Sequence, residues 1–258
     1  MTLFQSIILG VVQGLTEFFP VSSSAHLYLV KRLLGIPDGE HLLFFDLLCH
    51  SGTILALILF LKKEITQSLR NLKTVSLFAL ALIPLVPVYF LLKPLRVAAS
   101  DPAYVGYFLI FTSSLLFLAS KNRKFASSSD PVKVKDVLCI GMMQTMALIP
   151  GISRSGSTIA TARLLGWDWL SAARFSFLLA IPAILGGCAL ESIKLLKETP
   201  SSPLLISFGC YAAGFATSFL IGIMSVRFMF RIYEKGVVRP FAWYCLCIGL
   251  VSLWALHG

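Results

Sequence analysis

Two short stretches of this chain carry side chains that an oily sequence has little structural use for. The first, GLTEFFPVSSSAHL at 14–27, sets Glu17, Ser22, Ser23, Ser24 and His26 around Pro20. The second, PGISRSGST at 150–158, offers Ser153, Arg154, Ser155, Ser157 and Thr158. In each, proline or glycine stops one helix and serines stand where the next begins. A helix start exposes unpaired N–H groups and a partial positive charge, which suits an anion and above all phosphate. Arg154 adds a planar fork of donors matched to phosphate oxygens. Glu17 is a hard oxygen ligand, able to hold Mg²⁺ or Ca²⁺ together with substrate oxygens. His26 titrates near neutrality and can act as acid, base or nucleophile. Ser23 can attack phosphorus if a neighbour takes its proton. Serine, histidine and water all remain open as the nucleophile. Each residue alone has a plainer role: an Arg154–Glu17 ion pair, serine helix caps, a buried and bonded histidine. Their convergence at two helix breaks favours phosphate chemistry, since a charge at bilayer depth costs roughly 2.5–3.5 kcal/mol and is usually functional.

The elements that position these groups follow from composition. Hydrophobic residues make up 57% of the 258-residue chain and charged residues only 13%, where a soluble domain carries roughly 25% charged. Apolar runs of about 20 residues, the length of one helical crossing, recur along the whole length. The chain therefore reads as a single all-α polytopic membrane domain over 1–258. The first residues lack a basic n-region and a cleavage site, so no signal peptide is expected. The net charge of +10 sits mainly in short loops, where it sets membrane orientation and gives no reason to expect nucleic acid. The six cysteines show no zinc spacing and read as small buried hydrophobes.

Six crossings are expected, at about 43–61, 75–93, 103–120, 172–193, 204–226 and 239–257, with Pro84, Pro87 and Pro182 kinking them. The segments 3–19 with 27–34, and 137–149 with 158–165, are each too short to cross and read as broken re-entrant hairpins. Shifting the first by 131 residues lays Gly10, Gln13, Ser22, Ser24, Arg32 and Gly35 on Gly141, Gln144, Ser153, Ser155, Arg163 and Gly166. The expectation is an inverted-topology repeat, about 1–121 and 132–258, each half a re-entrant broken hairpin plus three transmembrane helices. Such paired interruptions point to a binding site at the midplane. The connections 62–74, 121–136 and 227–238 hold most of the lysines and arginines, which places them in the cytoplasm and both termini outside.

At this point the residues carry a resemblance. GVVQGLTEFFPVSSSAHL at 10–27 and LIPGISRSGSTIA at 148–160 resemble the two signature segments of the undecaprenyl-diphosphate phosphatases, the bacitracin-resistance phosphatases. FSFLLAIPA at 175–183 and HSGTILAL at 50–57 are also similar to that family, and the likeness runs over essentially the whole chain. It implies a bacterial inner-membrane enzyme with two re-entrant hairpins. With a divalent cation, Mg²⁺ or Ca²⁺, it would hydrolyse undecaprenyl diphosphate to undecaprenyl phosphate and inorganic phosphate. That reaction recycles the lipid carrier for peptidoglycan synthesis and confers bacitracin resistance. The resemblance assigns catalysis to Glu17, Ser23, His26 and Arg154. Ser22, Ser24, Ser153, Arg154, Ser155 and Thr158 are expected to bind phosphate, with Glu17 and Gln13 at the metal.

The family often has two glutamates four residues apart in its first segment; here the earlier one is Gln13, which can coordinate a metal but cannot act as a base. The expected partners are a polyprenyl diphosphate lipid, the bilayer, and a second copy of the chain if it forms a homodimer. The site is expected to face the periplasm or exterior and to contain Glu17, His26 and Arg154 in one cavity. The competing reading is a transporter or flippase of polyprenyl phosphate. A phosphatidate-phosphatase site is excluded because Ser24-Ala25-His26 replaces Ser-Gly-His and Ala160 stands where a histidine would be required.

Overall fold

The computed structural model describes residues 1–36, 40–99, 101–121, 132–197 and 206–257. Among them the secondary structure is helical, without strands. The first broken segment forms α1 (Leu3–Thr16) and α2 (Ser23–Leu33), and the second forms α9 (Val134–Met146) and α10 (Arg154–Leu164). Long apolar helices follow each pair: α3 (Glu40–Phe60), α5 (Leu72–Leu82) with α6 (Leu85–Leu91) and α8 (Val105–Lys121), then α11 (Trp169–Lys197), α12 (Phe208–Lys235) and α13 (Arg239–His257). Two shorter helices, α4 (Lys62–Leu69) and α7 (Lys93–Ala99), occupy stretches read as connections. Five described helical segments reach 18 residues with the apolarity needed to cross a membrane, and Arg239–Ala255 is a shorter apolar one. Large apolar side chains such as Phe4, Leu72, Leu91, Phe208 and Trp254 stand exposed, a surface suited to lipid and not to water.

Several boundaries differ from the sequence reading. Pro84 kinks its crossing as expected: its ring removes an N–H, so α5 gives way to α6 there, but Ile83 and Pro84 keep helical backbone and the span continues over Leu72–Leu91. Pro182 lies within an unbroken α11. The basic stretch 227–238 is mostly the end of α12, which runs on to Lys235 because Arg, Lys and Glu favour helix while Met229, Phe230 and Tyr233 pack inward. Most of the basic connection 121–136 lies outside the described residues. All six cysteines are free, but Cys139 and Cys247 are exposed and not buried.

Each hairpin is tied at its open end. Gln5 Nε2 donates to the Leu34 carbonyl at 3.2 Å, joining the start of α1 to the end of α2. Trp167 Nε1 donates to Asp136 Oδ2 at 3.2 Å, joining the loop after α10 to the start of α9. The two helices of each pair thus leave and return on one side. Lys31 pairs with Asp46 and pins α2 to α3, while Arg163 bonds the Trp167 carbonyl at 3.0 Å and lies over the Trp169 ring.

The first helix of each hairpin seats closely against a long helix through glycine. A Cβ at Gly10 would stand 2.8 Å from the Gly214 carbonyl oxygen on α12, and one at Gly141 2.4 Å from the Ala81 carbonyl oxygen on α5. The outer wall behind both breaks is the packed pair α8 and α13. Thr112 on α8 accepts from the Ser153 amide at 3.1 Å, and Cys245 on α13 lies 3.5 Å from the Pro20 carbonyl oxygen.

Candidate active site

The two breaks meet. Arg154, first residue of α10, donates from Nη2 to Glu17 Oε1 at 2.6 Å, a contact between residues 137 apart in sequence. Ser155 Oγ donates to the Phe19 carbonyl at 3.1 Å and so bonds the second break to the first. Glu17 is the C-terminal cap of α1, and its second oxygen is as fully used as its first. Ser23 Oγ donates to Oε2 at 2.9 Å, as does Gln13 Nε2 at 2.9 Å, and His50 Nδ1 lies 3.4 Å away. The Gln13 nitrogen also lies 2.8 Å from His50 Nδ1; an amide nitrogen can only donate, so that ring nitrogen accepts. The buried carboxylate is thus balanced by one guanidinium and by hydrogen bonds, as a charge out of water must be.

A cavity of about 260 Å³ opens between the breaks. Glu17, Ser22, Ser23 and Ser24 line one side, and Ser153, Arg154 and Ser155 the other. Its apolar rim includes Leu85 and Ala183, the residues directly after Pro84 and Pro182. Arg154 Nη1 is buried and without a protein partner among the described residues, leaving half of its fork available to an anion. Ser22 holds a left-handed backbone at φ 68°, the one non-glycine positive φ among the described residues. Strain of that kind costs about 1–3 kcal/mol and persists where the surroundings over-determine it; here it turns the chain so that Ser23 starts α2 facing Glu17.

Three expected site residues stand outside the cavity. His26 is buried behind the serine turn, with Nδ1 2.8 Å from the Ser22 carbonyl oxygen, Nε2 2.8 Å from the Tyr244 hydroxyl, and its ring stacked on Tyr244. Both nitrogens are engaged, so the expected common cavity contains Glu17 and Arg154 without His26. Thr158 bonds the Arg154 carbonyl at 2.8 Å and Ser176 Oγ at 2.6 Å, holding the first turn of α10 rather than facing an anion. Gln13 lies beneath Glu17 and presents its nitrogen there, because a carboxylate accepts and does not donate. In that orientation its oxygen is not beside Glu17 as a second metal ligand.

Three polar cavity-lining residues, Thr16, His50 and Gln144, have no place in the sequence assignment. His50, on α3, stands in the similar stretch HSGTILAL, and a lone imidazole in an apolar crossing was the available signal. Gln144, on α9, is the counterpart of Gln13 under the 131-residue shift. A divalent cation would find no pre-built cage here. Among the described residues no three His, Cys, Asp or Glu side chains converge, and Glu17 already faces an arginine and an amide donor. That donor set would fit a cation shared with the oxygens of an anionic ligand, with Glu17 the acidic residue on the lining able to hold it.

The model of the Bacitracin resistance protein BacA family matches residues 6–251. A curated protein of Protochlamydia amoebophila named undecaprenyl-diphosphatase is 40% identical over 98% of each chain. Proteins of the same name from Parabacteroides distasonis and Christiangramia forsetii are 37% and 36% identical, again over 98% of each chain. The match takes in both broken hairpins and all the long helices behind them, so the chain belongs to the BacA family of bacitracin resistance proteins.

Proposed function

We infer that this protein hydrolyses undecaprenyl diphosphate to undecaprenyl phosphate and inorganic phosphate. The reaction recycles the lipid carrier of cell-wall synthesis and supports bacitracin resistance. The observation that carries the reading is the set Ser23–Glu17–Arg154, a hydroxyl on a carboxylate on a guanidinium, held in one cavity by two helix breaks. A transporter of lipid phosphate needs an anion site but no hydroxyl poised on a carboxylate.

The diphosphate enters with its terminal phosphoryl group against the starts of α2 and α10. Arg154 turns its free Nη1 to the phosphate oxygens and neutralises charge as it develops. Ser23 Oγ attacks phosphorus, the P–O bond to the bridging oxygen breaks, and undecaprenyl phosphate leaves. Glu17 Oε2, 2.9 Å from that hydroxyl, receives the proton. Glu17 passes that proton to the departing lipid phosphate, then takes one from the water that attacks the phosphoserine and returns it to the Ser23 oxygen as inorganic phosphate leaves, so that both residues are restored. His26 fixes the turn from behind, through the Ser22 carbonyl. Glu17 would hold a divalent cation, Mg²⁺ or Ca²⁺, jointly with the diphosphate oxygens, and the cation would supply shielding of phosphate charge. Both walls of the cavity come from one chain, so a single copy holds the full site and a homodimer is not required for it.

Purified protein should release phosphate from undecaprenyl diphosphate and lose that activity with chelator. Ser23→Ala should lower turnover by about 10³-fold or more while the protein stays folded, the order expected for removing a nucleophile. Near-normal turnover of Ser23→Ala would leave direct attack by water.

We also propose the inverted repeat, with both termini outside the bacterial inner membrane and the cavity open to that side. The support is the concentration of basic residues on the opposite connections and the same-side ends of each hairpin. A cysteine placed at exposed Ser24 in a cysteine-free variant should react with an impermeant thiol reagent from outside. Reaction only in everted vesicles would reverse the orientation.

A further inference from the structure

The wall of the cavity opposite Glu17 holds a side chain with no assigned task. Gln144 is 2% exposed, lines the cavity, and has neither its Nε2 nor its Oε1 bonded to any described residue. A buried amide with both ends unmet is unusual, since such groups are almost always hydrogen-bonded. Its counterpart in the first hairpin, Gln13, donates to Glu17 four residues on. Four residues after Gln144 stands Leu148, which has nothing to accept that bond. The other unmet buried polar group on the same lining is Arg154 Nη1, so one cavity holds two unsatisfied N–H donors and an unsatisfied amide carbonyl. An anion in the cavity offers acceptors to both N–H donors, and a phosphate group is one that also suits the guanidinium fork.

We propose that Gln144 is a phosphate-binding residue of the lipid diphosphate site. Its amide N–H donates to a non-bridging phosphate oxygen alongside Arg154, and its carbonyl accepts from a water or a protonated phosphate oxygen. The inference rests on the hydrolytic reading for the identity of the anion, but not for the existence of the contact. A neutral donor suits this wall: it holds a dianionic group without adding a second fixed charge that product release would have to overcome.

The test uses full-length protein in detergent, with two measurements on wild type, Gln144→Leu, Gln144→Met and Gln144→Glu. One is phosphate release from undecaprenyl diphosphate; the other is the rise in melting temperature on adding inorganic pyrophosphate. Gln144→Leu and Gln144→Met remove the unmet amide at similar volume, so both should melt no lower than wild type. Their KM should rise about 10-fold or more, the order of losing a hydrogen bond to a charged group, and their pyrophosphate shift should shrink. Gln144→Glu should abolish the shift, because a carboxylate there repels the anion. Unchanged KM and an unchanged shift in both apolar variants overturn the proposal, as does failure of all three to fold, which makes Gln144 structural. Wild type that binds pyrophosphate through Gln144 but releases no phosphate would overturn the hydrolytic reading and leave this one standing.

Discussion

The two hairpins have the same skeleton and opposite chemistry. Shifting α2 by 131 residues gives the bounds of α10, and shifting Leu3 gives Val134, the start of α9. Under that shift Glu17 corresponds to Leu148, Ser23 to Arg154, and Gln13 to Gln144. One half has the acid and the hydroxyl, and the other has the cation and a spare amide. A symmetric pair of acids would repel each other and the diphosphate, and a symmetric pair of arginines would bury charge without a partner. Dividing the roles pairs the two buried charges with each other through the 2.6 Å Glu17–Arg154 contact. The same contact then sets Arg154 beside an arriving phosphate. The difference at two positions thus gives two similar turns a carboxylate on one side and a guanidinium on the other.

The division is broken most severely at its charged pair. Glu17→Gln keeps the shape and removes the base, and should lower phosphate release by about 10²–10³-fold or more. It should also weaken folding, since Arg154 would be left buried with no counter-ion. Arg154→Lys should fail comparably, because a point charge replaces a fork that must reach both Glu17 and phosphate. Single-turnover phosphate release with melting curves measures both effects. Equal loss from Gln13→Ala would contradict the division, since a neutral amide under Glu17 is a support for the base and not its substitute.

The packing face of the repeat supplies an intermediate effect. Gly10→Ala and Gly141→Ala each drive a methyl group into a carbonyl of the neighbouring helix, at 2.8 and 2.4 Å respectively. Overpacking of this kind costs about 1–3 kcal/mol. Gly141→Ala should be the worse of the two, being the tighter and meeting backbone alone. Melting temperature in detergent checks the order. A reversal would show that α9 can shift away from α5 more easily than α1 from α12.

Much of this comparison is legible in the sequence, because proline, glycine and serine break helices by local chemistry that needs no tertiary context. Pro20 and Pro150-Gly151 mark both turns, and the serines mark both restarts. Arg154 and Glu17 are conspicuous because charge in an apolar chain is costly. Orientation of the polar residues about those turns is another matter. His26 sits three residues after Ser23, and whether its ring enters the cavity or leaves it depends on Tyr244, 218 residues away. His50 is hidden because a single imidazole in a long apolar helix carries no local pattern, and its role exists only once α3 packs beside α1. Pro84 and Pro182 look equivalent in sequence, yet the crossing is interrupted between α5 and α6 at the first, while α11 runs unbroken through the second. The surroundings that repair a freed carbonyl are tertiary.

The smallest effect sharpens the comparison at the turns themselves. The hairpins reverse direction with left-handed backbone at different places: Ser22 at φ 68° in the first, Gly151 at φ 102° in the second. Ser153, the counterpart of Ser22, has an ordinary extended backbone at φ −72° and caps α10 by accepting the Gly156 amide at 3.1 Å. Ser22 makes no such cap bond; its hydroxyl lies 3.2 Å from that of Ser24. Glycine should therefore act oppositely on stability at the two sites. Ser22→Gly relieves a side chain held in a region that glycine visits freely, worth about 1 kcal/mol of stability. Ser153→Gly removes a helix cap for which glycine substitutes imperfectly, at a cost of a few tenths of a kcal/mol. Melting temperature should rise for the first and fall slightly for the second. Activity should fall in both, because each hydroxyl lines the cavity. If Ser22→Gly instead lowered the melting temperature, the strain at Ser22 would be outweighed by a hydroxyl contact worth more than the turn costs, and the first hairpin would be held by its serine side chains as firmly as the second.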